Sequence, residues 1–344
     1  MEQRRLDVVG GVEYADIGGD CALSACRRWP SNCNIAFVNY LAQAGILLTA
    51  LTLLNATPKL APSQNGKYLR IQVLLDRAHF SPGEIDGVRG DNTRRALRAF
   101  QGAHGLPETG NPDSNTLAAL EAGRELVPTL APYILTEEDV RGPFVQIPAD
   151  LMEQAKLPAL GYQSSLESLG EKFHTDPMLL RRLNPGKAFV TAGVEVQAPN
   201  IHHDRPANAA TVVVSKSKQT VEARDAQGQV VAEYPATIGS VRDPLPLGAW
   251  KVTHISHNPI FFYNPDLFWN ASGSDTKATI QPGPNSPVGL VWIGLSKEHY
   301  GIHGTPEPSL VGHAQSHGCI RLTNWDAHEL AQIIKPGIPA ILKE

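Results

Sequence analysis

From residue 211 onward the chain alternates apolar and polar residues with a period of two, and this constrains its fold more than any other feature. The stretch TVVVSKSKQTVEARDAQGQVVAEYPATIG predicts a strand over 211–215, a second around 219–224, a turn at Ala226-Gln227-Gly228 and a third over 229–238. A period of two puts apolar side chains on one face of a strand and scatters them around a helix, so this part must form sheet. Short strands and Gly/Pro turns continue to about residue 324, and 325–334 reads as one terminal helix. The expected result over 210–344 is an all-β sandwich or open barrel whose functional groups sit on loops. The whole chain of 344 residues, with 30 glycines, 27 prolines and 6% aromatics, should be a multidomain α+β protein with real linkers.

Upstream the period changes. Ile71, Leu74, Leu75 and Ala78 fall at i, i+3, i+4 and i+7 of a helix. Turn chemistry follows in Ser81-Pro82-Gly83-Glu84-Ile85-Asp86-Gly87, which lacks the alternating carboxylates of a calcium loop. Asp91 can cap a second helix carrying Ala96, Leu97 and Phe100, and 113–120 reads as a third. With Gln72, Gly90, Thr93, Gln101, Gly105-Leu106, Thr109-Gly110 and Thr116-Leu117, these positions make residues 66–122 resemble a three-helix peptidoglycan-binding domain. Most are core and turn positions and carry the fold rather than the ligand.

Residues 123–159 are Pro-rich and read as a linker. Over 160–200, Leu166, Leu169, Phe173, Leu180, Leu183-Asn184-Pro185, Gly193, Val194, Val196 and Pro199 resemble a degenerate lysin motif. Lysin motifs bind glycans containing N-acetylglucosamine. This copy lacks the usual Gly-Asp-Thr opening, so a packing module and a sugar-binding one both fit.

Residues 35–56 (IAFVNYLAQAGILLTALTLLNA) carry no charge and would span roughly 33 Å as a helix, enough to cross a bilayer. Arg27 and Arg28 precede the run, which suits a cytoplasmic N-side. Its densest apolar part, 44–54, is closer to a signal-peptide core. Residues 1–57 therefore read as an extension plus a signal peptide or a membrane anchor, and a buried core helix is a third reading by length. Either export reading puts the remainder in the periplasm or cell envelope. A net charge of −4 gives no footprint for nucleic acid.

Cys21, Cys26 and Cys33 all precede that apolar run, and Cys319 stands alone beyond it. A lone cysteine is commonly a small buried hydrophobe. Here it lies in Ser316-His317-Gly318-Cys319-Ile320-Arg321-Leu322, downstream of His303-Gly304-Thr305. These residues supply a nucleophile, a base and a glycine that lets backbone approach a developing oxyanion, as acyl transfer needs. A zinc site of His303, His317 and Cys319 is geometrically conceivable, but there is no HExxH and no carboxylate near enough to act as base. No metal and no cofactor is expected.

The two blocks resemble the signature of the L,D-transpeptidase catalytic domain of the YkuD type, a family of cell-wall cross-linking enzymes. Pro246-Leu247-Gly248-Ala249-Trp250-Lys251-Val252, the turn Gly283-Pro284-Asn285-Ser286-Pro287-Val288-Gly289 and Trp292-Ile293 agree as well, over about 211–343. The resemblance implies Cys319 as nucleophile, His303 as proton donor and acceptor, and a backbone carbonyl near Gly304 orienting His303. Oxyanion donors would be the N–H groups of Gly318 and Cys319. Ser316, His317, Arg321 and Thr305 would line or brace the substrate site. The implied partner is peptidoglycan, both stem peptides and glycan strands. An L,D-carboxypeptidase or other hydrolase, a lipoprotein-anchoring enzyme and a non-catalytic wall-binding protein stay open. The aromatic stretch 258–270 (NPIFFYNPDLFWN) lacks alternation and reads as a flap over the groove.

Overall fold

The computed structural model describes residues 64–123, 126–269 and 271–344, so the apolar run at 35–56 and the first three cysteines lie outside the described residues. Helices α1 (Gln64–Arg77), α2 (Asp91–Ala103) and α3 (Ser114–Glu121) open the described part. Ile71, Leu74 and Leu75 of α1 meet Ala96, Leu97 and Phe100 of α2 and Leu120 of α3 in one buried cluster. Ala78 falls just past the end of α1. Gly90, not Asp91, occupies the N-cap of α2; Asp91 is its first residue and pairs with Arg94 at 3.0 Å. Two buried glutamines tie the turns to the helices. Gln72 donates to Asp86 at 2.8 Å and accepts from the Gly87 N–H at 2.7 Å. Gln101 donates to Thr116 Oγ1 at 2.9 Å and accepts from the Gly110 N–H at 2.8 Å.

Residues 123–159 were expected to be a linker, and they carry structure instead: β1 (Leu130–Ile134), α4 (Glu137–Arg141) and α5 (Leu151–Gln154). After α6 (Ser165–Lys172) and α7 (Pro177–Leu183), β2 (Glu195–Pro199) pairs antiparallel with β1. Pro132 hides the strand from a sequence reading, yet a two-stranded sheet always leaves each strand one free edge where proline costs nothing. Thr136 and Asp139 form a reciprocal capping box at the start of α4. Leu135, Leu166, Leu169, Leu180 and Val196 fill the small core between helices and strands.

The remaining strands are β3 (Thr211–Ser215), β4 (Thr220–Arg224), β5 (Val230–Pro235), β6 (Thr237–Ile238), β7 (Gly248–His257), β8 (Phe261–Tyr263), β9 (Ala278–Ile280), β10 (Val291–Leu295), β11 (Gly301–His303), β12 (Ile320–Arg321) and β13 (Pro339–Lys343). Nine of them form one sheet in the order β5-β4-β3-β13-β7-β10-β11-β12-β6. Only Ala236 separates the two edge strands β5 and β6 in sequence, so the sheet must curl until its edges nearly meet. Its interior is filled by Val212, Val214, Val221, Ile293, Ile302 and Ile320, with Leu330 and Ile333 of α8 (Asn324–Ile333). The pair β8–β9 stands apart, packed with Leu160 in a small separate cluster.

The described residues form one compact unit. The helical region docks on the edge of the large sheet, where Ser81 N–H donates to the Glu233 carbonyl at 2.8 Å and Glu233 N–H to the His79 carbonyl at 2.9 Å. Asn92 Nδ2 donates to the Val311 carbonyl at 2.8 Å, and Ser81 Oγ to Asp326 at 3.0 Å. Glu233 is buried in this junction, and burial, with help from Glu222, pushes its carboxyl up to about 8. A carboxyl whose folded pKa is raised stabilises fully below its unfolded value and loses that contribution as pH rises through the folded one. Glu233→Gln should therefore leave the melting midpoint unchanged near about pH 4 and raise it increasingly up to about pH 8–9. The gain should reach the order of a few kcal/mol. Thermal unfolding followed by circular dichroism across pH is the check; an equal shift at every pH would rule out titration as the cause.

Candidate active site

Strand β11 runs parallel to β12 with Ile302 opposite Ile320 and His303 opposite Arg321. Both isoleucines point into the sheet's core and are fully buried. Side chains alternate along a strand, so His303 projects from the other face, as do Arg321 and the residue two before it, Cys319. Two consecutive strands, joined by the loop over 304–319, thus bring the imidazole and the thiol to one face of one strand pair.

His303 is buried, and its Nδ1 lies 2.7 Å from the Gly304 carbonyl oxygen. A carbonyl can only accept, so Nδ1 carries the proton and a neutral ring keeps its lone pair on Nε2. Burial, reinforced by the Arg321 charge, pushes the imidazole down to about 3, so the ring is neutral at physiological pH. Trp292, the cross-strand partner of His303, stacks on it with ring centres 5.5 Å apart. Gly301 permits that stacking, because a side chain there would begin 2.5 Å from the Trp292 ring.

Cys319 is partly exposed, with Sγ 3.6 Å from the His299 carbonyl. Burial raises its thiol above the ordinary value, against the opposing pull of the Gly301 N–H and of Arg321. At rest both groups are therefore neutral, a thiol and an imidazole on one face of the strand pair. Gly318 has φ +100°, and a Cβ there would come within 2.9 Å of the Tyr300 ring. Ser316 is buried and donates from Oγ to the Cys319 carbonyl at 2.6 Å, fixing the turn that presents the thiol. Thr305 is buried as well, its Oγ1 accepting from the Glu307 N–H at 3.3 Å.

The rest of the expected set divides. His317 is half-buried between Phe268 and Trp269, each ring 5.4 Å away, and its Nε2 is buried without a partner. Its imidazole is lowered by burial first and by Arg321 second. The Arg321 guanidinium has lost solvent, and Cys319 and Glu307 are the groups that favour its charge. The aromatic stretch expected as a flap has two roles. Phe261, Tyr263 and Phe268 pack on one another and on Leu160, whereas Trp269 lies over His317 and donates from Nε1 to Asp243 at 2.8 Å.

Sequence reasoning assigned no role to Tyr300, Trp292, Asn324 or Gly289. Asn324 is buried behind Gly304; it accepts the Leu290 N–H at 3.0 Å and donates to the Pro284 carbonyl at 3.2 Å. Gly289 has φ +61° and leaves a Cβ position only 2.0 Å from Asn324 Oδ1. The turn over 283–289 is thus pressed between Asn324 and Leu160, whose N–H donates to the Pro282 carbonyl at 2.9 Å. The only sequence signal was that Trp292 and the glycine turn belong to the matched motifs.

Comparison with known proteins finds relatives of one family. Residues 209–342 match the family described as "L,D-transpeptidase catalytic domain", and residues 65–120 match "Putative peptidoglycan binding domain". The chain is 31% identical over 175 residues to "Putative L,D-transpeptidase YkuD" of Bacillus licheniformis, covering 50% of this chain and 90% of that protein. The protein of the same name from Bacillus subtilis is 29% identical over 174 residues, with 50% and 90% covered. A solved L,D-transpeptidase from Xylanimonas cellulosilytica aligns over 80% of this chain and 92% of its own, at 17% identity and a TM-score of 0.35. On the match to the Bacillus licheniformis protein over nine-tenths of its length, the chain belongs to the L,D-transpeptidase family.

Proposed function

We propose that this chain cross-links peptidoglycan stem peptides by acyl transfer through a thioester on Cys319. Cys319 Sγ attacks the carbonyl of the bond between an L-centre and D-Ala in a tetrapeptide stem, while His303 Nε2 takes the thiol proton. Backbone N–H groups of Gly318 and Cys319 face the oxyanion; losing one such donor typically costs about 3 kcal/mol of barrier. The intermediate collapses with His303 returning the proton to the leaving D-Ala amine. An amine of a diaminopimelate on a neighbouring stem then attacks the thioester, His303 Nε2 taking the amine proton, and the departing thiolate receives that proton to restore the thiol. His317 and the Trp269 flap wall the acyl pocket, and Arg321 is available to a stem carboxylate. The observation that carries this reading is the His303 Nδ1 contact with the Gly304 carbonyl, which leaves Nε2 as a base on the same face as the thiol.

The matched peptidoglycan-binding domain supports the same substrate, because tethering to the polymer raises its effective concentration at a slow catalytic site. Incubating the full-length chain with a tetrapeptide muropeptide should give cross-linked dimer with loss of D-Ala, and Cys319→Ser should give neither. D-Ala release without dimer would make the chain an L,D-carboxypeptidase, and transfer only to a lipoprotein lysine would make it an anchoring enzyme. No turnover with retained binding to sacculi would leave a wall-binding protein.

A further inference from the structure

On the side of the catalytic domain where the helical region docks, three side chains from separate regions converge. His79 follows α1, His203 lies on the connector between β2 and β3, and Glu329 is on α8. His79 Nδ1 lies 3.2 Å from Glu329 Oε2, and His203 Nε2 lies 3.6 Å from the same oxygen. One donor atom from each residue falls within 4.8 Å of the other two. We propose that this is a binding site for a divalent transition metal of the zinc type, fastening the peptidoglycan-binding region to the catalytic domain.

Geometry carries the argument first. Metal–ligand bonds of about 2.0–2.1 Å put neighbouring ligand atoms of a tetrahedron about 3.3–3.4 Å apart, and the two contacts to Glu329 bracket that edge. A second, independent observation is Asp76. Its side chain is 96% buried, its Oδ1 has no hydrogen-bond partner, and that oxygen points at the cluster from 3.8 Å off His203 Nε2. It stands ready as the fourth ligand. Two neutral imidazoles and two carboxylates would cancel the charge of a divalent cation.

The outer contacts are those a metal centre uses to aim its ligands. His203 Nδ1 is 2.9 Å from the Asp204 carbonyl, which as an acceptor assigns the proton to Nδ1 and leaves Nε2 free to ligate. Tyr234 OH donates to the other Glu329 oxygen at 3.0 Å. His174 Nδ1 sits 2.9 Å from the other Asp76 oxygen. A cavity of about 390 Å³, lined in part by His174, His202 and His203, opens beside the cluster and gives an ion a way in. The mixed nitrogen and oxygen donors suit zinc rather than magnesium or calcium. No sequence motif announces such a site, because His79 and Glu329 are 250 residues apart.

The test is zinc content and affinity of the full-length chain, measured by elemental analysis after dialysis and by competition with a chromophoric chelator. Wild type and Cys319→Ala should each hold one equivalent, which separates this site from the catalytic thiol. His203→Ala and Glu329→Gln should weaken binding at least about 100-fold while circular dichroism stays native, and Tyr234→Phe, which removes only a supporting hydroxyl, by about 10–100-fold. Zinc should raise the melting midpoint of wild type and not that of His203→Ala. A wild type without zinc, or zinc that follows Cys319 and ignores His203, would overturn the site and leave His79, His203 and Glu329 in plain side-chain contacts with one another.

Discussion

Cys319→Ala is expected to lower acyl transfer by on the order of 10⁴-fold or more, the scale of nucleophile removal from other acyl-transfer sites. No mass adduct should form at the altered position. The stronger expectation concerns pH. A buried His303 held down at about 3 does not titrate across neutral pH, and the thiol is raised above its ordinary value. The acylation rate should therefore be level between about pH 4 and 7, with no imidazole limb, because His303 Nε2 is already free to take the proton of the neutral thiol. A preformed thiolate–imidazolium pair would instead give a rising limb well below pH 7. Single-turnover acylation followed by intact mass over pH distinguishes the two. The same histidine contributes to acid sensitivity, since its folded pKa lies below the unfolded value near 6.5. The unfolded chain binds the extra proton between about pH 3 and 6.5, so His303 lowers stability as pH falls through that window.

The strands over 211–238 were legible because alternation is a local signal, and β3, β4 and β5 follow it closely. His303 and Cys319 could be singled out as candidates because both lie in short motifs whose residue types limit the chemistry, and the register of β11 and β12 brings the two motifs side by side. What was not legible depends on distant pairing. The strand character of 130–134 exists only because residues 195–199 lie beside it, and its proline argues against a strand when read alone. Asn324 carries no local mark of function, since partners such as Leu290 and Pro284 reach it only through the fold. Tyr300 likewise gains its place only when Gly318 folds against its ring. Nor could the junction between the wall-binding region and the sheet be read, because Ser81, Asn92 and His79 find their partners across more than half of the chain.

Gly304→Ala is the substitution expected to damage both stability and catalysis while touching no reacting atom. A Cβ at Gly304 would sit 2.1 Å from Asn324 Oδ1, and Asn324 cannot yield easily because it is buried and bonded to the Leu290 N–H and the Pro284 carbonyl. Overpacking of this kind typically costs about 1–3 kcal/mol. The strain should be relieved by moving the Gly304 peptide, whose carbonyl holds the His303 ring. A shift of about 1 Å in a catalytic group can cost on the order of 10²-fold in rate, so kcat should fall well beyond what lost stability explains. Asn324→Gly supplies the control. Alone it should destabilise by about 1–3 kcal/mol, because the Leu290 N–H loses its buried acceptor. Combined with Gly304→Ala it gives the new methyl room, so the two penalties should add to less than their sum. Melting midpoints and kcat for the four proteins of this cycle decide the matter: strict additivity would mean that Asn324 does not hold the histidine loop in place.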